Sequence, residues 1–129
     1  MCSRLLLSLM LVTFSASAKW LKVSQTDSFA IFADPSAVRA NADLRRAWVI
    51  LEMNQPQPNG ERSRHVLFEW DCKNERERVL HLISHAGPMA TGKVLLNGGN
   101  PMDWGNVSPN VPASIALFRF ACPVSSRQR

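Results

Sequence analysis

The sequence predicts an α+β domain: an antiparallel sheet of five or six strands, one C-terminal helix packed on one face, and one disulfide. Three observations carry this. Apolar and polar residues alternate with period two, most clearly where Val66, Phe68, Trp70 and Cys72 interleave with Leu67, Glu69 and Asp71. Clusters of proline, glycine and asparagine punctuate the alternating segments, as hairpin connections do. The last apolar segment changes period, with Ile115, Phe118 and Cys122 at i, i+3 and i+7.

The chain opens with Arg4, an apolar run from Leu5 to Phe14, and the small residues Ala16-Ser17-Ala18. That order of basic, apolar and small residues is the pattern of a secretory signal. The apolar run is half the ~20 residues that a membrane-spanning helix needs. Residues 1–18 are therefore expected to be removed on export, leaving a single domain over 19–129 with no membrane span. Cys2 precedes the apolar run and is expected to leave with it.

The elements then follow in order. Trp20 and Leu21 to Val23 begin an apolar strand. In "SFAIFAD", Phe29, Ile31 and Ala33 face one side and Ala30 and Phe32 the other, and Asp34-Pro35 ends the run. Ala47 to Leu51 is continuously apolar, the pattern of a strand buried on both faces. "QPQPNG" continues neither strand nor helix, because its prolines lack donors and Asn-Gly favours a turn. The Cys72 strand comes next, on whose core side Phe68 and Trp70 also lie. In "RERVLHLISH", Val79, His81 and Ile83 are expected opposite Leu80 and Leu82. "KVLLN" is a short strand between the breakers "AGPMATG" and "GGNP". The closing "LFRFAC" also fits a strand, but a helix capped by Ser114 is preferred because the sheet needs a cover.

Export leaves two cysteines, and an even pair in an oxidising compartment reads as a Cys72–Cys122 disulfide. The formal charge falls from +5 to +4 when Arg4 leaves with the signal. That balance suits a solvated surface or acidic partners. It excludes nothing by itself, but the bases alternate with acids in "NERER", and export argues against nucleic acid as a partner.

Cys72, His81 and His85 are the first candidates for a metal or Cys–His site. Four residues apart on a helix, two histidines share one ion; on a strand they stand about 13 Å apart. The strand pattern and the disulfide therefore point to no metal and no cofactor. No serine lies in Gly-x-Ser-x-Gly, and "NGGNP" lacks the lysine of a phosphate loop. Glu69 and Asp71 alternate with core residues and are expected on the solvated side. No catalytic residue is assigned. Arg62, Arg64, Arg76 and Arg78 would cluster near the open end of a hairpin, as a protein-binding patch or a solvated edge. Trp104, between Asp103 and Gly105, is the best candidate for an exposed aromatic, with Trp48 and Trp70 in the core. An unpaired edge strand would support a homodimer by strand addition.

The order of these features resembles the bacterial surface-adhesin protein E-like family, small exported domains of Gram-negative bacteria. The residues that carry the resemblance are Trp20, Asp34, "Trp48-Val-Ile-Leu", "Phe-Glu-Trp-Asp71-Cys72", Met89 and Gly92, Trp104-x-x-Val107-x-Pro109, and the final Cys122. The resemblance implies an antiparallel sheet with a C-terminal helix and a disulfide at the positions of Cys72 and Cys122. It also implies adhesin-like binding of extracellular or envelope proteins, at the cell surface or in the periplasm. The chain departs from the family's named member in having no lipoprotein cysteine after the apolar run. It also has Pro112-Ala113-Ser114 where the family tends to have Pro-Gly-Ser. A small periplasmic enzyme or enzyme inhibitor is the alternative.

Overall fold

The structure, a computed structural model, describes residues 10–12 and 19–124. The export signal expected over residues 1–18 lies largely outside the described residues. The strands are β1 (Leu21–Gln25), β2 (Phe29–Ala33), β3 (Arg39–Asn41), β4 (Leu44–Met53), β5 (Ser63–Asp71), β6 (Arg76–His85), β7 (Val94–Gly98) and β8 (Gly105–Asn106). One helix, α1 (Pro112–Ala121), follows. The sheet runs β1-β2-β4-β5-β6-β7, every pair antiparallel. Short β3 adds to β4, and β8 adds to β6. The six-strand path is the sheet the alternation predicts; β3 and β8 are too short to leave a periodic signal.

Helix α1 packs on one face. Leu117, Phe118 and Ala121 join Ile31, Ala33, Ala47, Val49, Val66 and Trp70 in the core. The odd residues of β4 and the even residues of β5 make this helix face, as a period of two requires. Cys72, just past β5, meets Cys122, just past α1, with their Cα atoms 5.5 Å apart. The bridge spans 50 residues. Closing a loop of that length stabilises the fold by about 4 kcal/mol on the chain-entropy estimate. The helix is the one the 3.6-residue period favours, but its cap differs. Val111 is the N-cap and Pro112 occupies the first turn. Ser114 instead accepts the Ser108 N–H at 3.0 Å and donates to Glu77 at 2.7 Å. A proline in the first turn supplies the helical φ without needing a donor, so the serine is free to tie the preceding loop to β6.

One strand departs from strict alternation. The β5–β6 register slips between Leu67↔His81 and Phe68↔Val79, which leaves Leu80 as a bulge. Val79 therefore lies with Leu82 on the helix face, where both line a hollow of roughly 160 Å³ with Phe68 and Leu51. His81 and Ile83 lie on the far face, so Val79 does not accompany them as the alternation expected. The bulge also sets which residues meet on the far face, because it brings Arg78 opposite Glu69.

Replacing both Cys72 and Cys122 by alanine is expected to lower the unfolding free energy by about 3–4 kcal/mol in urea titrations. An unchanged midpoint would mean that the bridge closes a loop already constrained in the unfolded chain.

Candidate functional site

The far face carries the polar chemistry, and cross-strand register assembles it. Arg46 on β4, Glu69 on β5 and Arg78 on β6 stand directly opposite one another. Leu44, Asp71 and Arg76 form the next row toward the β5–β6 turn. Glu69 is 0% exposed. Arg46 Nε donates to its Oε2 at 2.5 Å, and Arg78 Nε and Nη2 donate to its Oε1 at 2.9 and 2.6 Å. Asp71 is buried too. Its Oδ1 accepts the backbone N–H groups of Lys73 and Asn74, and its Oδ2 accepts from Asn74 Nδ2 and Arg76 Nη2. The expectation that Glu69 and Asp71 face solvent is therefore corrected. Period two places them on the polar face, but flanking arginines cover them, which the pattern of one strand does not reveal.

Trp104 closes the array. Its ring lies 4.3 Å from the Arg78 guanidinium carbon and 5.1 Å from that of Arg76. It is half-buried rather than free. Two carboxylates below and one indole above hold these guanidinium groups in a cation–π arrangement, in which Arg76 Nε is buried without a hydrogen-bond partner among the described residues.

Arg62 and Arg64 do not join this group. They lie at the other end of the hairpin, about 23 Å along β5 from the Asp71–Arg76 pair. Arg64 Nε reaches both oxygens of buried Glu61 at 3.0 and 2.9 Å, while Arg62 Nε stands 3.9 Å from Glu52. The four arginines thus form two pairs, not one cluster. The reason is antiparallel pairing, which sets the start of β5 against the end of β6.

The three histidines share the far face, and among the described residues no three His, Cys, Asp or Glu side chains converge as a metal site would require. His65 packs on Trp48 with ring centroids 4.4 Å apart and meets the edge of Trp20 at 6.1 Å. His81 lies 5.7 Å from the Trp48 ring and hydrogen-bonds Asn97. His85 pairs in register with Ser63. Cys72 is bonded to Cys122 on the helix side. Trp48 is therefore part of the far face, not of the helix-side core that holds Trp70.

A model of one family, described as surface-adhesin protein E, matches residues 20–123. The chain belongs to the surface-adhesin protein E family. No curated protein and no solved structure gives a significant match. For this adhesin-family domain, the match begins at Trp20 and ends just after Cys122. It therefore spans the whole sheet, the helix and the bridge. Among the described residues no helix is long and apolar enough to cross a membrane.

The residues that sequence reasoning missed in this family member are Arg46 and the role of Glu69. A signal was present: an acid between Phe68 and Trp70, and an arginine two residues before Trp48. Using it requires the register of β4 against β5, which no single segment contains. Charge balance follows from the geometry. Burial pushes both carboxyls up, but the hydrogen bonds from Arg46 and Arg78 outweigh it at Glu69 and lower that carboxyl. At Asp71, bonds from Arg76 and Asn74 do the same and hold it at about 2. Burial wins at Glu77, whose carboxyl is raised despite the Ser114 bond.

Asp71 has an ordinary value of 3.8 and a folded value of about 2. A lowered acid stabilises the fold above its unfolded value, and that contribution is lost as pH falls through the folded one. The Asp71 contribution is thus full above about pH 4 and disappears toward pH 2. Glu77 has the opposite sign, favouring the fold at low pH and losing that effect as pH rises through its raised value. Asp71→Asn is expected to lower stability at neutral pH by about 1–2 kcal/mol, with solvent at Arg76 screening part of the pair. It should also flatten the loss between pH 4 and 2 in thermal melts. An acid limb unchanged by the substitution would assign it to other carboxyls.

Proposed function

We propose that this protein is an exported, non-enzymatic binding module that acts at the cell surface and contacts extracellular proteins through the Trp104–Arg78–Arg76 array. Membership in a surface-adhesin family supports the general role. The observation that carries the specific reading is the stack of Trp104 on Arg78 and Arg76, each held from beneath by a buried carboxylate. Tryptophan and arginine are the side chains that most often dominate protein interfaces. Pre-ordering them removes much of the side-chain entropy that binding otherwise costs. The acids and bases on this face are used against one another, which favours a recognition surface over an enzyme whose groups converge on a substrate. Residues 1–18 serve as the removed export signal in this reading, and 19–129 as the binding domain.

Self-association has separate support. Strand β7 lies at one end of the sheet path, opposite β1, and is exposed throughout, with Val94, Leu95 and Leu96 at 48%, 36% and 59%. An apolar edge of this kind pairs readily with a second strand, so a homodimer through β7 accompanies the proposal.

Two measurements test the function. Protease accessibility on intact cells should place the domain outside; complete protection would confine it to the periplasm and end the adhesin reading. In binding assays against matrix and serum proteins, Trp104→Ala should weaken the interaction by about tenfold or more while the β-sheet circular dichroism is kept. Unchanged affinity would remove the array from the interface.

A further inference from the structure

Beside the Trp104 array, the same row of the sheet continues onto β3, and there the charges do not balance. Arg39 pairs in register with Arg46 across β3 and β4. Like charges directly opposite one another on a sheet are destabilising. Between them lies a hollow of roughly 150 Å³, lined by Arg39, Ala40, Asn41, Leu44, Arg46 and Glu69. The Arg39 side chain makes no hydrogen bond or ion pair among the described residues, nor does the Asn41 side chain. Arg46 uses only Nε, on Glu69. Its two Nη nitrogens make no hydrogen bond among the described residues, and its side chain is 56% exposed. Glu69 lines the hollow but is neutralised from both sides by Arg46 and Arg78.

We infer that this hollow is a carboxylate-binding site, which takes one acidic side chain of a protein partner between Arg39 and Arg46. A guanidinium presents parallel N–H donors that match the two oxygens of a carboxylate. Glu69 fixes Arg46 through Nε and leaves the Nη edge available, so one half of the clamp is ordered before binding. Arg39 supplies the second cation and Asn41 an amide donor. A bound carboxylate turns the Arg39–Arg46 opposition into an attraction on both sides.

The neighbouring charges favour a single acidic side chain over a sulfated polymer. A polymer needs a track of unpaired cations, each neutralising one of its charges. Here Arg62, Arg64 and Arg76 each pair with a carboxylate, and Arg78 shares Glu69 with Arg46. Arg39 stands out as the unpaired member of the row. The inference deepens the proposed function by naming a partner group, and it rests on that reading only for the identity of the partner as a protein.

The test is a titration of the purified, disulfide-bonded protein with hexaglutamate, followed by NMR of the backbone amides of residues 39–46. Arg39→Gln is the variant. Arg45→Gln is the control, because it removes the same charge one residue from Arg46. Arg45 faces the other way, and its Nη1 donates to the Ala42 and Leu44 carbonyls. The expected result is local shifts in the wild type and an affinity about tenfold weaker in Arg39→Gln. Arg45→Gln should stay within about twofold, as a half-buried charge outside the site and already bonded to backbone carbonyls should. The melting temperature of Arg39→Gln should be unchanged or raised, since the substitution relieves a like-charge opposition. Equal losses in the two variants would overturn the inference in favour of diffuse attraction. Tighter binding of a heparin-derived hexasaccharide at the same amides would overturn it in favour of a sulfated partner. Because the peptide assay involves no cell and no matrix protein, its failure is separable from failure of the adhesin reading.

Discussion

Glu69 sits fully buried between arginines from the two neighbouring strands, and the arrangement of the far face depends on that carboxylate. Taking a carboxylate out of water costs several kcal/mol unless its oxygens are well bonded. Here three charge-assisted bonds reach it, and the arginines keep part of their own surface in solvent. The arrangement avoids the worst case, in which both partners are desolvated. Its consequences extend in two directions. On β6 it holds Arg78 beneath Trp104. On β4 it holds Arg46 by one edge, beside Arg39.

The two faces of the sheet divide the work. The helix face is mostly apolar and covered in part by α1, with Arg64 bonded to buried Glu61 at its other end, and the Cys72–Cys122 bridge ties strand to helix where β5 ends. The far face is built from registered ion pairs and half-buried aromatics. The faces meet at the β5–β6 turn, where Asp71 bonds the turn amides and the next residue, Cys72, enters the disulfide. A covalent staple and a bonded carboxylate at adjacent positions keep this end of the hairpin in place. That rigidity suits an interaction surface, because side chains held before contact lose less entropy on binding.

Much of the architecture was legible because it is local. Period two marked Val66, Phe68, Trp70 and Cys72, and the change of period marked Ile115 to Cys122. The signal-like start and the cysteine count together supplied the bridge. What was not legible depends on neighbours. The bulge at Leu80 turns Val79 to the helix face, yet "RERVLHLISH" reads as unbroken alternation. Glu69 and Asp71 fall on the polar side as expected, but whether that side is wet depends on Arg46, Arg76 and Arg78. The four arginines of the β5–β6 hairpin separate because pairing is antiparallel. Ser114 has the composition of a cap, but Pro112 had already set the helix start. Arg39 attracted no notice, since an exposed three-residue strand carries no period.

The central claim is that Arg46 and Arg78 act as a unit through one shared buried carboxylate. The most direct measurement is a double-mutant cycle of Arg46→Ala and Arg78→Ala, with unfolding free energies from urea titration. If Glu69 is shared, either single loss leaves it one partner, and the second loss strands it. The double variant should then be less stable than the summed singles by about 1–2 kcal/mol. Additivity within about 0.5 kcal/mol would contradict the account, because it would make the two arginines independent surface residues.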